Sequence, residues 1–146
     1  MARAYLSLSS NDADAPGRIN EAIRLIGDIE SVAVLAQSRR EQAAAGRQRQ
    51  RDYSYCVIGI ETVIKARSLL DQVIGIEAAM GRDHADVWGP RIIDIDIICY
   101  DDIEIRSSRL CLPHPFAHSR AHVLEPLREI APDVADWVVG IATKPR

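Results

Sequence analysis

Two aspartates, Asp94 and Asp96, are the residues of this sequence best suited to chemistry. They lie in an apolar run typical of a strand, where side chains alternate between two faces. Both carboxylates should therefore project from one face, and Ile93, Ile95 and Ile97 from the other. Two carboxylates this close repel each other unless a cation lies between them, and Mg²⁺ is commonly held by one or two carboxylates together with substrate phosphates. The alternative is an ordinary amphipathic strand with an acidic solvent face.

Several arginines could converge on this acidic pair. Arg91 stands just before it, and Arg82, Arg109 and Arg120 lie in loops or at the ends of elements. A guanidinium group is a planar fork of donors that matches phosphate oxygens. Phosphoryl transfer depends on positioning and charge neutralisation more than on covalent chemistry. Carboxylates, a metal and several arginines together therefore indicate a polyphosphate site.

Composition limits the class of protein that carries this pattern. The chain has 146 residues, of which 47% are hydrophobic and 27% charged, as expected for one soluble domain spanning 1–146. Its net charge of −3 argues against a dedicated nucleic-acid binder. No segment has the length of a membrane span or a signal peptide, so we expect no membrane partner and a cytoplasmic location. Cysteines among apolar neighbours predict buried thiols: Cys56, Cys99 and Cys111.

Hydrophobic periodicity gives an order of elements that can position the acidic pair. The pattern begins with a strand, then a helix with Asp14 as its N-cap and Gly27 at its end. A last helix should begin near Ala117 and be disturbed at Pro126, because proline removes a backbone donor. The strands are predicted at 4–8, 29–35, 53–63 and 92–100, with short edge strands at 103–105 and 110–112, and the second helix at 69–80, ended by Gly81.

This order is too irregular for a doubly wound parallel sheet. It favours an α+β fold of the ferredoxin-like split βαβ type, with a mixed or antiparallel sheet and helices packed on it. The arginine-rich stretch from Gln37 to Asp52 is long for a loop in a compact domain. It could close on an anionic ligand or be a solvated face, and the second interpretation is slightly favoured.

Three motifs carry a resemblance to a known family. The run from Trp88 to Ile97 has the form G-P-R-x-x-D-x-D-I, and it is followed by a P-H motif and by P-L-x-E-I-A-P. In this order they resemble 6-hydroxymethyl-7,8-dihydropterin pyrophosphokinases. The resemblance covers nearly the whole chain, since further segments are similar to the family's opening strand, its D-Y and its E-x-x-x-G-R: Ala4 to Asn11, Asp52 and Tyr53, and Glu77 to Arg82.

The resemblance implies an ATP-dependent transfer of a pyrophosphoryl group to the hydroxymethyl of a pterin alcohol, giving AMP, in folate biosynthesis. It also implies two Mg²⁺ ions on Asp94 and Asp96, and a transferring group steadied by Arg82 and Arg91. The nucleotide and its loop would be contacted by Trp88, Arg109, His114 and Arg120, and the pterin by Tyr53, Tyr55 and His122. Another enzyme of the folate pathway is an expected partner. The alternative is a weak or inactive relative that binds nucleotide or pterin, or one that acts on a different acceptor.

The departures from the family pattern concern substrate recognition. Ser9 replaces a glycine, Tyr55 stands where the family usually has a pterin-binding asparagine, and His122 replaces an aromatic residue. The loop from Arg82 to Trp88 carries two acids where relatives tend to carry Arg and Lys. The metal pair and the two central arginines are retained. The sequence therefore supports the reaction type more firmly than it supports the acceptor.

Overall fold

The computed structural model describes residues 1–43, 52–82 and 91–144. Its strands are β1 (Ala2–Ser10), β2 (Val32–Gln37), β3 (Glu41–Ala43), β4 (Tyr53–Thr62), β5 (Asp94–Tyr100), β6 (Ile105–Arg106) and β7 (Cys111–Leu112). Its helices are α1 (Ala15–Gly27), α2 (Ala66–Ala79), α3 (Ala121–Ile130) and α4 (Pro132–Ala142), with a 3₁₀ turn at Ala117–Ser119.

The main sheet has the strand order β2-β4-β1-β5, and every pairing in it is antiparallel. Helix α1 joins β1 to β2 around β4, and α2 joins β4 to β5 around β1. Each helix thus connects two parallel strands that have an antiparallel strand between them. This arrangement is a split βαβ and confirms the predicted ferredoxin-like α+β fold. The short strand β3 also pairs with β4, beyond the end of β2.

Helices α1 and α2 cover one face of the sheet. The Asp14 carboxylate caps α1 by accepting a hydrogen bond from the Gly17 amide at 3.3 Å. Apolar side chains at helical spacing then lie against the strands, among them Ile19 and Ile26, neither of which has any exposed surface. Helix α2 ends just before Gly81, whose φ of +92° is the left-handed conformation that favours glycine at this position.

Helices α3 and α4 pack on the opposite face. There Tyr5, Val57 and Ile98 form a second core cluster with the buried faces of both helices. The pairing of β1 with β5 shifts register between Tyr5 and Leu6, so that Ile98 is an extra residue, a β-bulge. The isoleucines before the bulge pack in the first cluster, whereas Ile98 and Cys99 pack in the second.

The end of the chain differs from the prediction of a single disturbed helix. Two helices are present, and α3 continues through Pro126. The helix tolerates the loss of one backbone hydrogen bond at Pro126 because Val123, Pro126 and Leu127 are buried on one side. This tertiary packing outweighs the low helix propensity of proline. The break falls at Ala131, and Pro132 begins α4 at a position where the absent N–H is not needed.

Three other predictions need correction. The short pieces β6 and β7 pair with each other in a separate two-stranded sheet, and in the described residues neither pairs with a strand of the main sheet. The stretch from Gln37 to Asp52 is not wholly a loop, since it contains β3. Cys56 and Cys99 are buried, which raises their pKa values to about 11 and about 12, but Cys111 is only half-buried.

In the described part of the chain, none of the helices combines the length and apolarity that crossing a bilayer requires.

Candidate active site

Several of the predicted site residues lie where β1 ends and where β4 and β5 begin, on the face of the sheet that carries α3 and α4. Ser9 of β1 lies opposite Asp94 on one side and opposite Tyr55 on the other. Ser7 lies in the same way between Asp96 and Val57. Because neighbouring strands are about 4.8 Å apart, the acidic strand and the aromatic strand lie roughly 10 Å from each other. Two small serines separate them.

Two of the predicted arginines converge on Asp94. Arg82 donates from Nη1 to Oδ1 of Asp94, and Arg91 donates from Nη1 to Oδ2 at 3.2 Å. The Arg82 side chain is only 13% exposed, whereas that of Arg91 is 42% exposed. Each carboxylate oxygen of Asp94 therefore has its own guanidinium partner, and the two arginine charges lie beside the strand that carries the aspartates.

Glu77, which opens the E-x-x-x-G-R segment, is a positioning residue whose role was not predicted from the sequence. Its side chain on α2 is 4% exposed, and its Oε2 accepts from Nη1 of Arg82 at 2.6 Å and from the backbone amide of Ile95 at 3.0 Å. Burial raises the Glu77 pKa, while the Ile95 amide and the Arg82 charge act in the opposite direction. The signal in the sequence was a carboxylate on the apolar face of a predicted helix.

Ser10 and Asn11 hold the other arginine by its backbone. The Arg91 amide donates to Oδ1 of Asn11 at 2.6 Å, and the Asn11 amide donates to the Arg91 carbonyl at 3.1 Å. The Ser10 hydroxyl donates to the same carbonyl at 3.4 Å. Ser10 and Asn11 are almost wholly buried. The motif comparison contained this serine and asparagine but could not show that they anchor Arg91.

Asp96 has an environment that suits a cation ligand. Burial and the nearby Asp94 charge raise its pKa, and the charges of His114 and Arg120 partly oppose the rise. Within the described ranges, no group of three or more Asp, Glu, His or Cys side chains could hold a metal by itself. Two carboxylates on one strand face fit Mg²⁺ that takes its remaining ligands from phosphates and water. A divalent cation there would relieve the repulsion between the aspartates.

A cavity of about 250 Å³ adjoins Asp96 and contains two of the predicted nucleotide contacts, Arg109 and His114. Arg109 forms an ion pair from Nη2 to Asp71 of α2. His114 is fixed by its backbone amide, which donates to the Ile98 carbonyl at 2.7 Å. Burial lowers the pKa of the His114 ring, which favours its neutral form. The walls of the cavity are both polar and apolar, as a nucleoside requires.

Arg120 lies at the start of α3. Its guanidinium stands over the Phe116 ring, with 5.4 Å from Cζ to the ring centroid. This cation–π contact orients a positive group that is close enough to Asp96 and His114 to influence both pKa values. Trp88 falls outside the described residues, as does the rest of the segment from 83 to 90.

The predicted acceptor residues lie along β4 and at the start of α3. Tyr53 and Tyr55 share one face of β4, and Tyr55 is 7% exposed. The Tyr55 ring meets the His122 ring edge-on, with centroids 5.8 Å apart and an angle of 74° between the planes. Burial and the Arg120 charge lower the His122 pKa. Two of the residues that depart from the family pattern, Tyr55 and His122, are therefore in contact with each other.

Comparison with known proteins gives a consistent result. The family model described as 7,8-dihydro-6-hydroxymethylpterin-pyrophosphokinase (HPPK) matches residues 5–132. The 2-amino-4-hydroxy-6-hydroxymethyldihydropteridine pyrophosphokinase of Methylorubrum extorquens is 37% identical over 135 residues, covering 92% of this chain and 85% of that protein. The enzyme of the same name from Aquifex aeolicus is 36% identical over 137 residues, with 92% and 83% covered.

Some similar proteins are longer. The bifunctional protein FolKE of Lactococcus lactis is 35% identical over 131 residues, which are 89% of this chain and 38% of that protein. Among solved structures, the HPPK-DHPS of Plasmodium falciparum with pteroate superposes with a TM-score of 0.69 at 13% identity, covering 96% of this chain and 42% of that one. That structural likeness supports the fold.

Proposed function

This chain belongs to the 7,8-dihydro-6-hydroxymethylpterin-pyrophosphokinase family, whose reaction is pyrophosphoryl transfer from ATP to 6-hydroxymethyl-7,8-dihydropterin in folate biosynthesis, and we propose that the site around Asp94 and Asp96 performs it. The observation that carries the proposal is the contact of Asp94 with both Arg82 and Arg91 at one end of the sheet, two residues before Asp96 on the same strand. A polyphosphate needs this combination of oxygen ligands for metal and guanidinium donors for charge.

Asp94 and Asp96 would hold Mg²⁺, two ions with ATP bound, through their carboxylate oxygens. When bound, Mg²⁺ neutralises phosphate oxygens and orients the transferring group. Arg82 and Arg91 would donate to the oxygens of that group. The hydroxymethyl oxygen would then attack the β-phosphorus and lose its proton to solvent, while the bond from this phosphorus to the oxygen bridging it to the α-phosphate breaks and AMP leaves with the electron pair. The protein contributes position and charge.

The nucleotide would occupy the cavity beside Asp96. His114 and Arg120 are the proposed contacts to the phosphates, with Arg109 as a further one at the rim of the cavity. Trp88 is proposed to help close the loop over ATP. Arg109 would exchange its exposed partner Asp71 for a phosphate oxygen. An exposed ion pair of this kind contributes little to the stability of the protein, so breaking it to bind a phosphate costs little free energy.

The acceptor would lie over β4, across the two serines from the acidic strand. Tyr53 is proposed to stack on one face of the pterin, with Tyr55 and His122 forming the wall beside it. Another enzyme of the folate pathway remains a predicted partner. It is supported by similar proteins whose names describe a bifunctional chain or an HPPK-DHPS.

Product analysis tests the proposed function. The protein is incubated with ATP, Mg²⁺ and 6-hydroxymethyl-7,8-dihydropterin, and nucleotides and pterins are separated by chromatography. We expect AMP and pterin diphosphate in equal amounts. Formation of ADP would indicate single phosphoryl transfer, and Mg²⁺-dependent ATP binding without product would indicate a binding protein. Either result contradicts the proposal.

Replacing His122 with phenylalanine should strengthen pterin binding by about threefold to tenfold, the range expected for a better aromatic contact. Phenylalanine retains the edge contact with Tyr55 and removes a polar ring from a half-buried position. Binding is measured by fluorescence titration with a non-hydrolysable ATP analogue present. His122→Leu is the control, because it is apolar but lacks the ring. Unchanged or weaker binding by His122→Phe would show that a pterin does not stack there.

A further inference from the structure

A cleft of about 760 Å³ adjoins the nucleotide cavity and has no role in the proposed reaction. It lies between the β6–β7 hairpin, the 3₁₀ turn and the C-terminal half of α4. The two spaces share a wall that includes Cys111 and His114, but Asp96 lines only the nucleotide cavity. Small-molecule sites have volumes of about 300–1,000 Å³, so the cleft is large enough for a ligand of its own. We call it the hairpin cleft.

One side of the hairpin cleft is apolar. Val138, Ile141 and Ala142 lie three and four positions apart on α4, so they share one face of the helix. Val138 belongs to the second core cluster, whereas Ala142 is exposed. Leu112 and Pro113 add to the apolar lining from β7 and the residue after it. A ring or hydrocarbon body bound here would remove apolar surface from water.

The rim of the hairpin cleft carries positive charge. Arg106 on β6 and Lys144 just after α4 line it, and neither has an ion-pair partner in the part of the chain that the structure describes. Other exposed arginines are paired with carboxylates, among them Arg109 and Arg128. Glu104 is the one carboxylate among the described lining residues. The rim therefore has more positive than negative charge, which favours an anion.

His118 supplies a second observation that points to a ligand. Its half-buried ring lines the hairpin cleft, and its Nδ1 is a buried atom with no hydrogen-bond partner among the described residues. Such atoms are rare in folded proteins, because a buried polar group without a hydrogen bond is costly. A small rotation of the ring about its Cβ–Cγ bond would bring this edge to a ligand in the cleft. The ring therefore has an unused hydrogen-bonding position beside the cleft.

The turn of the hairpin fixes the backbone at Arg106. The Ser107 amide donates to the Leu110 carbonyl at 3.0 Å, and the Ser107 hydroxyl donates to the same carbonyl at 2.8 Å. The Leu110 amide in turn donates to the Ser107 hydroxyl at 3.1 Å. Arg106 precedes this turn and pairs with Cys111 across the hairpin. Its backbone needs no rearrangement for the guanidinium to bind an anion, which lowers the entropic cost of binding.

We propose that the hairpin cleft is a second ligand site, which binds an organic anion with an apolar ring body. Arg106 and Lys144 bind the anionic group, the α4 face packs against the ring body, and His118 supplies a hydrogen bond. A carboxylate, sulfonate or phosphate group has acceptor oxygens that suit these cations. The nucleotide needs the aspartates and their metal, which lie outside the cleft, so both ligands bind at the same time.

The test uses two fluorescent probes that differ only in the charged group. They are 8-anilinonaphthalene-1-sulfonate and N-phenyl-1-naphthylamine, which lacks the sulfonate. Each is titrated into the full chain with a non-hydrolysable ATP analogue, Mg²⁺ and 6-hydroxymethylpterin at saturation, so that the site of the proposed reaction is occupied. We expect one saturable site for the sulfonate probe, with an affinity at least about fivefold higher than that of the neutral probe.

Substitutions locate the site. Arg106→Gln and Lys144→Gln should each weaken binding of the sulfonate probe by about threefold to tenfold and leave the neutral probe unchanged, because each removes one charge. Ala142→Trp places a large ring in the cleft and should weaken both probes by at least about tenfold. His118→Phe keeps a ring but removes its nitrogens, and should weaken both probes by about threefold. Arg67→Gln, at an exposed position on α2, is the matched control and should change neither affinity.

Any of four results would overturn the inference. They are no saturable binding of the sulfonate probe, displacement of that probe by the ATP analogue, equal affinity of the parent for both probes, and parent affinity in both glutamine variants of the rim. Thermal midpoints are measured on the same samples, and parent values are expected because Arg106, Lys144 and Ala142 are exposed. The outcome does not depend on AMP formation, so this inference and the proposed function can fail separately.

Discussion

Replacing Asp96 with asparagine should lower turnover by about a hundredfold or more, the scale of loss when one electrostatic contact to developing charge is removed. Asparagine has nearly the same size but loses the charge that would ligate Mg²⁺. Burial and, after it, the Asp94 charge raise the pKa of Asp96, and the substitution removes this repulsion between two carboxylates on one strand face. The fold should therefore be at least as stable as that of the parent.

Three measurements on Asp96→Asn check this expectation: kcat at saturating ATP and Mg²⁺, the Mg²⁺ dependence of nucleotide binding, and the thermal midpoint. Asp102→Asn is the matched control, since Asp102 is exposed in the turn after the same strand. It should leave all three unchanged. If Asp96→Asn keeps near-parent turnover, the assignment of the metal to this pair is wrong. A large fall in the thermal midpoint would instead assign Asp96 a structural role.

Replacing Glu77 with alanine should lower the free energy of unfolding by about 3 kcal/mol, as expected when one partner of a buried ion pair is removed. The change leaves the Ile95 amide without its acceptor inside the core and leaves the largely buried Arg82 with fewer partners. Turnover should fall as well, because Glu77 holds the guanidinium that reaches Asp94. Glu77→Gln keeps an acceptor for the amide, so its loss of stability should be smaller.

Chemical denaturation of both variants and of the parent measures the difference. Gln72→Ala is the control on the same helix, at an exposed position, and should change stability by less than about 0.5 kcal/mol. A loss below about 1 kcal/mol for Glu77→Ala would mean that the buried pair is not a structural anchor. A normal kcat in a correctly folded Glu77→Gln variant would show that the negative charge of Glu77 is not needed to position Arg82.

Periodicity was sufficient for the parts of the fold that repeat along the chain. The alternation around Asp94 and Asp96 predicted which side chains share a face, because a strand has a period of two. The cap at Asp14 and the glycine after α2 marked helix ends correctly, because capping also depends on residues close together in the sequence. The order of strands and helices then allowed the ferredoxin-like arrangement.

Contacts between distant segments were not predictable in this way. Glu77 is 18 positions from the amide it accepts from, and Asn11 is 80 positions from Arg91. Nothing local in either segment specifies those partners. Pro126 misled the prediction for the related reason that a local rule on proline was overruled by the burial of the helix face on the sheet. The parts that sequence reasoning missed are thus tertiary contacts.

The bulge at Ile98 divides β5 into two halves with independent registers. A one-residue deletion between Ile93 and Ile97 would exchange the faces of every residue on its N-terminal side, placing an aspartate in the core and an isoleucine in the site. A length change at the bulge itself falls where pairing is already interrupted, so neighbouring strands can absorb it. Evolution can therefore vary the apolar half of this strand, while the half that carries the carboxylates is fixed in length as well as in composition.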